Sequence, residues 1–349
     1  MELFYTIWAE ILNFFNVSEL TKVLQYKDYG SFRSLEMIAN ILRTFLPILL
    51  LIEIGRNVLY KKFRIVDYKL PFLNYMFNAV IGRLISLSII LIAIGFFQPY
   101  KFFTTSFTWY WFIYAYVVYE FANFLHHYSA HKVRILWCLH STHHFPDTIN
   151  LAVAYHRFFL EQLYIDFLKT IICILMGIEP AMLFLIIIID GVWGLFIHIG
   201  EDFLPKGRLG IFQHVVFTPS HHRVHHAKNP LYMDRNFSVL LNIWDRLFGT
   251  YQPERDEVKV DYGITREIKP GSFVDANFGE IACLWKDIKK APGIKNKIMY
   301  IFMPPGWSHI GDHKTASKVR GEYLKQMSGN TDEKVAFVNT SIEEGMIIN

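Results

Sequence analysis

Four stretches of the chain are predominantly apolar: Met37–Ile54, Ala79–Phe97, Phe107–Leu125 and Ala181–Ile197. Each runs for about 17–20 residues, roughly the length of a helix that crosses a hydrocarbon core. A fifth, Leu163–Gly177, is interrupted by Asp166 and Lys169; it is expected to tilt, or to pair those charges on a protein-facing side. Near the start, Phe4, Ile7, Trp8, Ile11 and Phe15 share one helical face, which suits a helix lying in the membrane interface or packing on the bundle. From about Glu201 onward the pattern turns polar and mixed, punctuated by Pro205, Gly207 and Gly210, and after about Asp312 apolar periodicity is lost. The expected architecture is all-α: a polytopic integral membrane helical bundle of about four to five spans, capped on the cytoplasmic side. Its expected parts are an N-terminal interfacial segment (1–36), membrane helices (37–200), a cytoplasmic cap (201–312) and a mobile tail (313–349).

The loops can be oriented because basic residues are retained on the cytoplasmic side. Arg56, Lys61, Lys62, Arg64 and Lys69 follow the first apolar stretch, whereas Gln98–Ser106 holds only Lys101 and Gly177–Pro180 holds no basic residue. This assignment leaves Lys22, Lys27 and Arg33 on the opposite side, against the rule. The expected location is a bacterial inner membrane or endoplasmic reticulum, with the chain's chemistry facing the cytoplasm.

Composition narrows the partners. The chain is 52% hydrophobic with a formal net charge of +4 and no dense basic run, so a membrane partner is expected and nucleic acid is not. Met1–Phe15 carries Glu2 and Glu10 and lacks a basic start, which argues against a secretory signal peptide. Cys138, Cys173 and Cys283 stand apart without a CxxC pair; they define neither a disulfide framework nor a soft-metal site, and they suit a reducing compartment.

The chemistry lies in the histidines. Three clusters are present: His127-Tyr-Ser-Ala-His131, His140-Ser-Thr-His143-His144 and His222-Arg-Val-His225-His226. Residues three and four apart share a helix face, so each cluster can aim two or three imidazoles at one point. Neutral imidazole is the commonest transition-metal ligand near neutral pH. These eight, with His198 as a ninth, are enough to hold two metals. Chance surface clustering explains one HxxxH easily, but not three clusters in so apolar a chain. His126, His156, His214, His221, His309 and His313 are read as non-ligands; His126 and His221 adjoin cluster members but would diverge from them on a helix.

The order HxxxH, HxxHH, HxxHH resembles the fatty acid hydroxylase/sterol desaturase superfamily of membrane diiron oxygenases, and within it the alkylglycerol monooxygenase-like bacterial members. Besides the clusters, the resemblance rests on Trp137, Asn150-Leu151, the string TPSHHRVHH at Thr218–His226, Asn236, WDRLFGT at Trp244–Thr250, YGIT at Tyr262–Thr265 and PPGW at Pro304–Trp307. It covers about residues 105–312. It implies a helical membrane fold and two iron ions held by His127, His131, His140, His143, His144, His222, His225 and His226. His198, in FIHIGED, resembles the family's lone histidine in a later helix. Spacing alone does not choose the metal, since imidazole also suits zinc and copper; iron comes with the resemblance.

The implied reaction is hydroxylation of a membrane lipid with O₂ as cosubstrate. At a carbon beside an ether oxygen it gives a hemiacetal that collapses to an aldehyde and glycerol, so alkylglycerol ether cleavage is the favoured activity. The alternatives in the same superfamily are a fatty-acyl or sphingoid hydroxylase and a sterol oxidase or desaturase; in a different class, a histidine-lined metal carrier or sensor. A carrier needs ligands along a path through the membrane, and these gather at one end. Two departures bear on the reductant, which is left unassigned. Where the alkylglycerol enzymes place a glutamate after the second histidine, this chain has Lys132, and where they place an arginine after the second box it has His156 followed by Arg157. Lysine offers donors and no acceptor, so an electron-donor protein is an expected partner.

Four acids complete the candidates. Glu120, two helical turns before His127, is the candidate catalytic-site carboxylate: it either accepts a hydrogen bond from a ligand imidazole or pairs with Lys132 or Arg134. Asp190, inside an apolar stretch, is expensive in lipid; it is read as bonded to a neighbouring helix or as lining a substrate channel. Asp245 is expected to hold the cap together. Glu201 is either a partner of His198 or a solvated loop carboxylate.

Overall fold

The computed structural model describes residue 6 and residues 35–79, 83–106 and 108–328. The N-terminal segment and its proposed interfacial face fall almost wholly outside them. Among the described residues there are helices and no strands, with two isolated bridges, Val216 to Leu241 and Ala227 to Tyr262. The chain divides into two compact units. One comprises residues up to Ala122 together with Ile149–Gly207; the other comprises Asn123–Thr148 and everything from Arg208.

The first unit contains α1 (Leu35–Leu59), α2 (Ile65–Phe77), α3 (Arg83–Phe97), the first part of α4 (Trp109–Lys132), α6 (Phe159–Leu175) and α7 (Pro180–Phe196). Helix α7 starts sharply because Pro180 opens it, and the Glu179 carboxylate before it accepts the Met182 N–H at 3.0 Å, satisfying an orphan donor of the first turn. The turn before α7 needs a glycine: Gly177 has φ +74°, and a β-carbon there would lie 2.4 Å from the Phe103 carbonyl oxygen.

Several buried polar groups of this unit are paired. Tyr119 donates to Asp190 at 3.2 Å, and the Lys169 ammonium lies 2.9 Å from the Tyr119 hydroxyl and 3.9 Å from the Asp190 carboxylate. The charges that interrupt the apolar stretches thus meet one another on protein-facing sides, as buried charges must. Gln162 likewise donates to Asp166 at 2.8 Å.

No helix among the described residues is long and apolar enough to cross a membrane. The two candidate spans Ala79–Phe97 and Ala181–Ile197 contain helices of 15 and 17 residues, α3 and α7. A 17-residue helix rises about 26 Å, short of the roughly 30 Å of a hydrocarbon core.

The second unit contains the end of α4, then α5 (Arg134–His144), α8 (Pro219–His225), α9 (Ile243–Leu247), α10 (Phe273–Lys290) and α11 (Gly293–Phe302). Helix α5 packs on α10 and α11 around Cys138, Leu284, Ala291 and Tyr300, fixed by Thr142 donating to the Ala276 carbonyl at 2.9 Å and Arg134 to Asp287 at 3.2 Å.

This division differs from the expected sequential one. The end of α4 and helix α5, which carry the first two histidine boxes, group with the third box, and their imidazoles lie together. The expected tail also begins with structure. A helix at 316–328, α12, is pinned by Arg320, which donates to the Leu231 carbonyl at 2.9 Å and to Gln252 at 3.0 Å. Tyr323 on this helix packs against the cluster of Val224, Ala227, Leu231 and Tyr232.

Candidate metal centre

Within the second unit the three boxes converge. His127 and His131 lie one turn apart at the end of α4, His140, His143 and His144 close α5, and His222 and His225 lie on α8 with His226 as its C-cap. Helix α8 is short, and its start is well specified. Pro219 occupies the first position, and Thr218 and His221 form a reciprocal capping box, with the Thr218 N–H donating to His221 Nδ1 at 3.1 Å. His221 Nε2 lies 3.1 Å from the Tyr251 hydroxyl, so this histidine holds its helix in place and is turned from the cluster that its neighbour His222 joins.

His127, His131, His140, His144 and His225 each place a ring nitrogen within 4.8 Å of the others, and His143, His222 and His226 form a second group on the same criterion. All eight are buried. Burial, followed by the neighbouring imidazoles, holds His127 and His144 well below the usual histidine range. His131 is brought down to about 4, burial outweighing the opposing pull of Asp234. These rings are therefore neutral near pH 7, the state in which imidazole binds a metal.

The protons can be placed from the partners. His127 Nδ1 lies 2.8 Å from the Phe237 carbonyl oxygen and His225 Nδ1 lies 3.0 Å from that of Arg235. A carbonyl only accepts, so both rings carry hydrogen on Nδ1 and present the Nε2 lone pair. His131 does the same through Asp234 Oδ1, 3.3 Å from its Nδ1, and its Nε2 is buried with no hydrogen-bond partner.

His140 Nε2 sits 3.1 Å from His127 Nε2 and 3.2 Å from His144 Nε2. A single proton on His140 cannot turn both contacts into hydrogen bonds, since His127 already offers a lone pair. In the second group His222 and His226 bring their Nε2 atoms to 3.0 Å. The inward lone pairs of His127, His131 and His225 repel unless a cation lies between them, and the donor set of each group fits a metal ion.

One loop organises this arrangement. Asp234, Arg235 and Phe237 each hold the outer nitrogen of a cluster imidazole. The loop is strained: Asp234 and Asn236 adopt φ of +54° and +58°, in the left-handed region, which costs a non-glycine residue on the order of 1–3 kcal/mol. Asp245 from α9 offsets the strain. Fully buried, it accepts the N–H groups of Phe237 at 2.7 Å and Ser238 at 2.9 Å. Asn236 adds bonds to the His221 and Gln252 carbonyls at 3.0 and 2.7 Å. The expected cap-holding part of Asp245 is this one.

The outer-sphere carboxylate that sequence reasoning missed is Asp234. It bonds His131 with one oxygen and is held by the Lys132 ammonium at 2.5 Å on the other. Lys132, read from the sequence only as a departure from a related pattern, thus steadies a ligand's partner. The legible signal was an acid in the polar segment DRN at 234–236, eight residues beyond the end of the third box. Glu120, expected in that outer position, is fully buried in the other unit. His127 itself donates from Nδ1 to the Phe237 carbonyl at 2.8 Å, with its Nε2 3.1 Å from that of His140. His198 also belongs to the other unit; it is buried, and its Nδ1 donates to the Gly194 carbonyl at 2.5 Å. Glu201 is exposed, and His156 bonds Asn74 through Nδ1 at 2.7 Å.

A helical unit with buried, neutral imidazoles gathered into two groups defines a class of histidine-box protein. Residues 112–250 match the fatty acid hydroxylase family, and the chain carries that domain. Similar proteins include the alkylglycerol monooxygenases of Xenopus tropicalis (32% identical, covering 57% of this chain and 43% of that protein) and Danio rerio (33%, covering 61% and 47%). The ornithine lipid hydroxylase OlsE of Rhizobium tropici is 28% identical over 44% of this chain and 46% of its own. The chain spans less than half the length of these curated relatives. No solved structure matches it.

Proposed function

We propose that the chain is a membrane-bound, O₂-dependent lipid monooxygenase with an iron ion in each of its two histidine groups. The observation that carries this reading is the inward set of imidazole lone pairs, whose outer nitrogens are held by Phe237, Arg235 and Asp234. His127, His131, His140, His144 and His225 would hold one ion and His143, His222 and His226 the other; His198 is the proposed ninth ligand, on its position in the sequence pattern. Iron in such a site supplies the activation of O₂ for C–H hydroxylation.

The protein's own part is to fix donor geometry and keep water out. The backbone carbonyls and the Asp234–Lys132 pair hold each ring in one tautomer, while the Phe237 ring, 5.2–5.8 Å from the rings of His127, His131 and His225, closes one side with hydrocarbon. The favoured substrate is an alkylglycerol ether, in keeping with the named activity of the most similar relatives reported above. The second reading, hydroxylation of a fatty-acyl chain, is favoured by the match to a bacterial lipid hydroxylase. The reductant in this reading is a protein, since Lys132 is engaged by Asp234 where a pterin would want an acceptor. The reading also places the histidine groups on the cytoplasmic side of the membrane.

The test is elemental analysis of purified chain together with turnover of alkylglycerols and of acyl lipids under O₂ with ferredoxin or tetrahydrobiopterin as donor. Iron close to stoichiometric with both groups, and oxygen-dependent product, are expected. Lipid turnover by metal-free protein would overturn the proposal.

A further inference from the structure

The second unit exposes an apolar surface that the histidine chemistry does not use. Ile211, Phe212 and Val215 lie in and beside a 3₁₀ turn at Gly210–His214, and Ile243, Leu247 and Phe248 lie on and just after α9. Their relative exposures run from 53% to 78%. The two segments are neighbours: the Phe217 N–H donates to the Leu240 carbonyl at 2.7 Å, the Asn242 N–H to Val215 at 2.9 Å, and the Asn242 side chain to Gln213 at 2.8 Å. Isolated exposed apolar residues are ordinary, but a joined group of this size on one face marks a binding surface.

The charges of the same segments indicate what covers it. Between 209 and 216 and between 239 and 250 the only acid is Asp245, which is turned inward and fully buried. The exposed polar side chains there include Arg246 and His214. Arg246 bonds Asn242 at 3.2 Å and lies 4.0 Å over the Tyr251 ring, with no acid in contact. An apolar face whose own two segments expose a cation and no carboxylate suits the interfacial zone of an anionic bilayer.

The surface also leads to the metal centre. Phe248 stacks on buried Phe124 at 5.0 Å, Phe124 meets Phe237 at 6.2 Å, and Phe237 lies against three of the cluster imidazoles. Helix α9 supplies both the exposed Ile243 and Leu247 and the Asp245 carboxylate that holds the Phe237 loop.

We infer that this face inserts into the headgroup–acyl boundary of an anionic lipid bilayer and guides lipid chains along Phe248, Phe124 and Phe237 toward the histidine groups. The docking surface stands on its own geometry; only what passes along it rests on the lipid monooxygenase reading.

The test places an environment-sensitive fluorophore on Leu247→Cys or Phe212→Cys in full chain carrying Cys283→Ser, reconstituted in vesicles of phosphatidylcholine and phosphatidylglycerol. Glu257→Cys, on an exposed site away from the face, is the control. Positions 247 and 212 should emit blue-shifted light and lose at least half of it to brominated lipid, with little change at 257. Arg246→Gln should weaken the quenching when anionic lipid is present and not in phosphatidylcholine alone. Water-like emission at 247 and 212 overturns the surface. So does protection that rises with protein density and brings energy transfer between copies, which would make the occupant a second chain. Metal content and lipid turnover of the same labelled protein are measured separately. Full iron and turnover with a wet position 247 sinks the surface alone, whereas a lipid-buried 247 without iron or turnover sinks the monooxygenase reading alone.

Discussion

The two compact units bury polar side chains in opposite ways. In the first, buried groups such as these meet complementary ones: Lys169 with Tyr119 and Asp190, the Glu53 carboxylate with the Leu151 N–H at 2.9 Å, and His156 with Asn74. In the second, the imidazoles face their own kind, and complementary partners occupy the outer nitrogens only. A histidine buried beside an amide stabilises a fold; eight buried around shared centres do so only when something positive joins them. Burial therefore does not mark the site, and the nature of the neighbour does.

The sharpest break of this contrast is a pair of substitutions. His144→Ala should remove metal from the larger group and abolish lipid turnover, while His156→Ala, equally buried, should leave metal content intact. The measurement is metal per chain by elemental analysis. Loss of metal from His156→Ala would erase the distinction between the units.

The next effect concerns the outer hydrogen bonds. Asp234→Ala removes the carboxylate that orients His131, and affinity for the metal should fall about 10–100-fold, the usual penalty for losing such a partner. Lys132→Gln should give a smaller fall in the same direction, and Asp234→Asn should recover part of the loss, because the amide oxygen still accepts. Competition titration against a chelator reads all three. Equal affinities across the series would show the loop to be a bystander.

The first unit predicts stability changes instead. His156→Ala deletes the bond to Asn74 and should cost about 1–3 kcal/mol in denaturant unfolding. Acid should tell the same story. Burial lowers His156 from 6.5 to about 3, so below pH 6.5 the unfolded chain takes up a proton that the folded chain refuses. Stability is then lost as pH falls from 6.5 toward 3, at roughly 1.4 kcal/mol per pH unit from this group, and His156→Gln should flatten the slope. A slope unchanged in that variant would reject the assignment.

The smallest effect is expected from Glu120→Gln. Since His127 is held by Phe237 and His140, metal affinity should change by less than about twofold, well inside the range for an outer-sphere ligand partner. A larger loss would restore Glu120 to the part first expected of it.

Much of the centre was legible from spacing. A helix turns about 100° per residue, so HxxxH and HxxHH had to gather imidazoles, and the same arithmetic turned His221 away from His222. Helical class followed from apolar run length. Membrane crossing did not follow so directly, since α7 and the described part of α3, at 17 and 15 residues, fall short of the roughly 20 residues of a span, and the helix at 316–328 escaped notice because its apolar contacts are few. The sequential domain division failed because Asn123–Thr148 packs with residues far along the chain.

What the sequence determined alone was therefore local: helix faces, the clustering of the histidines, the absence of acids at 209–216 and the unpaired spacing of the cysteines. What only tertiary structure decided was which groups meet. Asp234 and Phe237 reach His131 and His127 across 103 and 110 residues of chain, while Arg235 reaches His225 ten residues away, through a loop whose left-handed residues are stable only because Asp245 and Asn236 bind it. Periodicity reports the direction of a side chain from its own helix. It carries no information on the partner at the other end of a hydrogen bond, which is set by packing of distant segments.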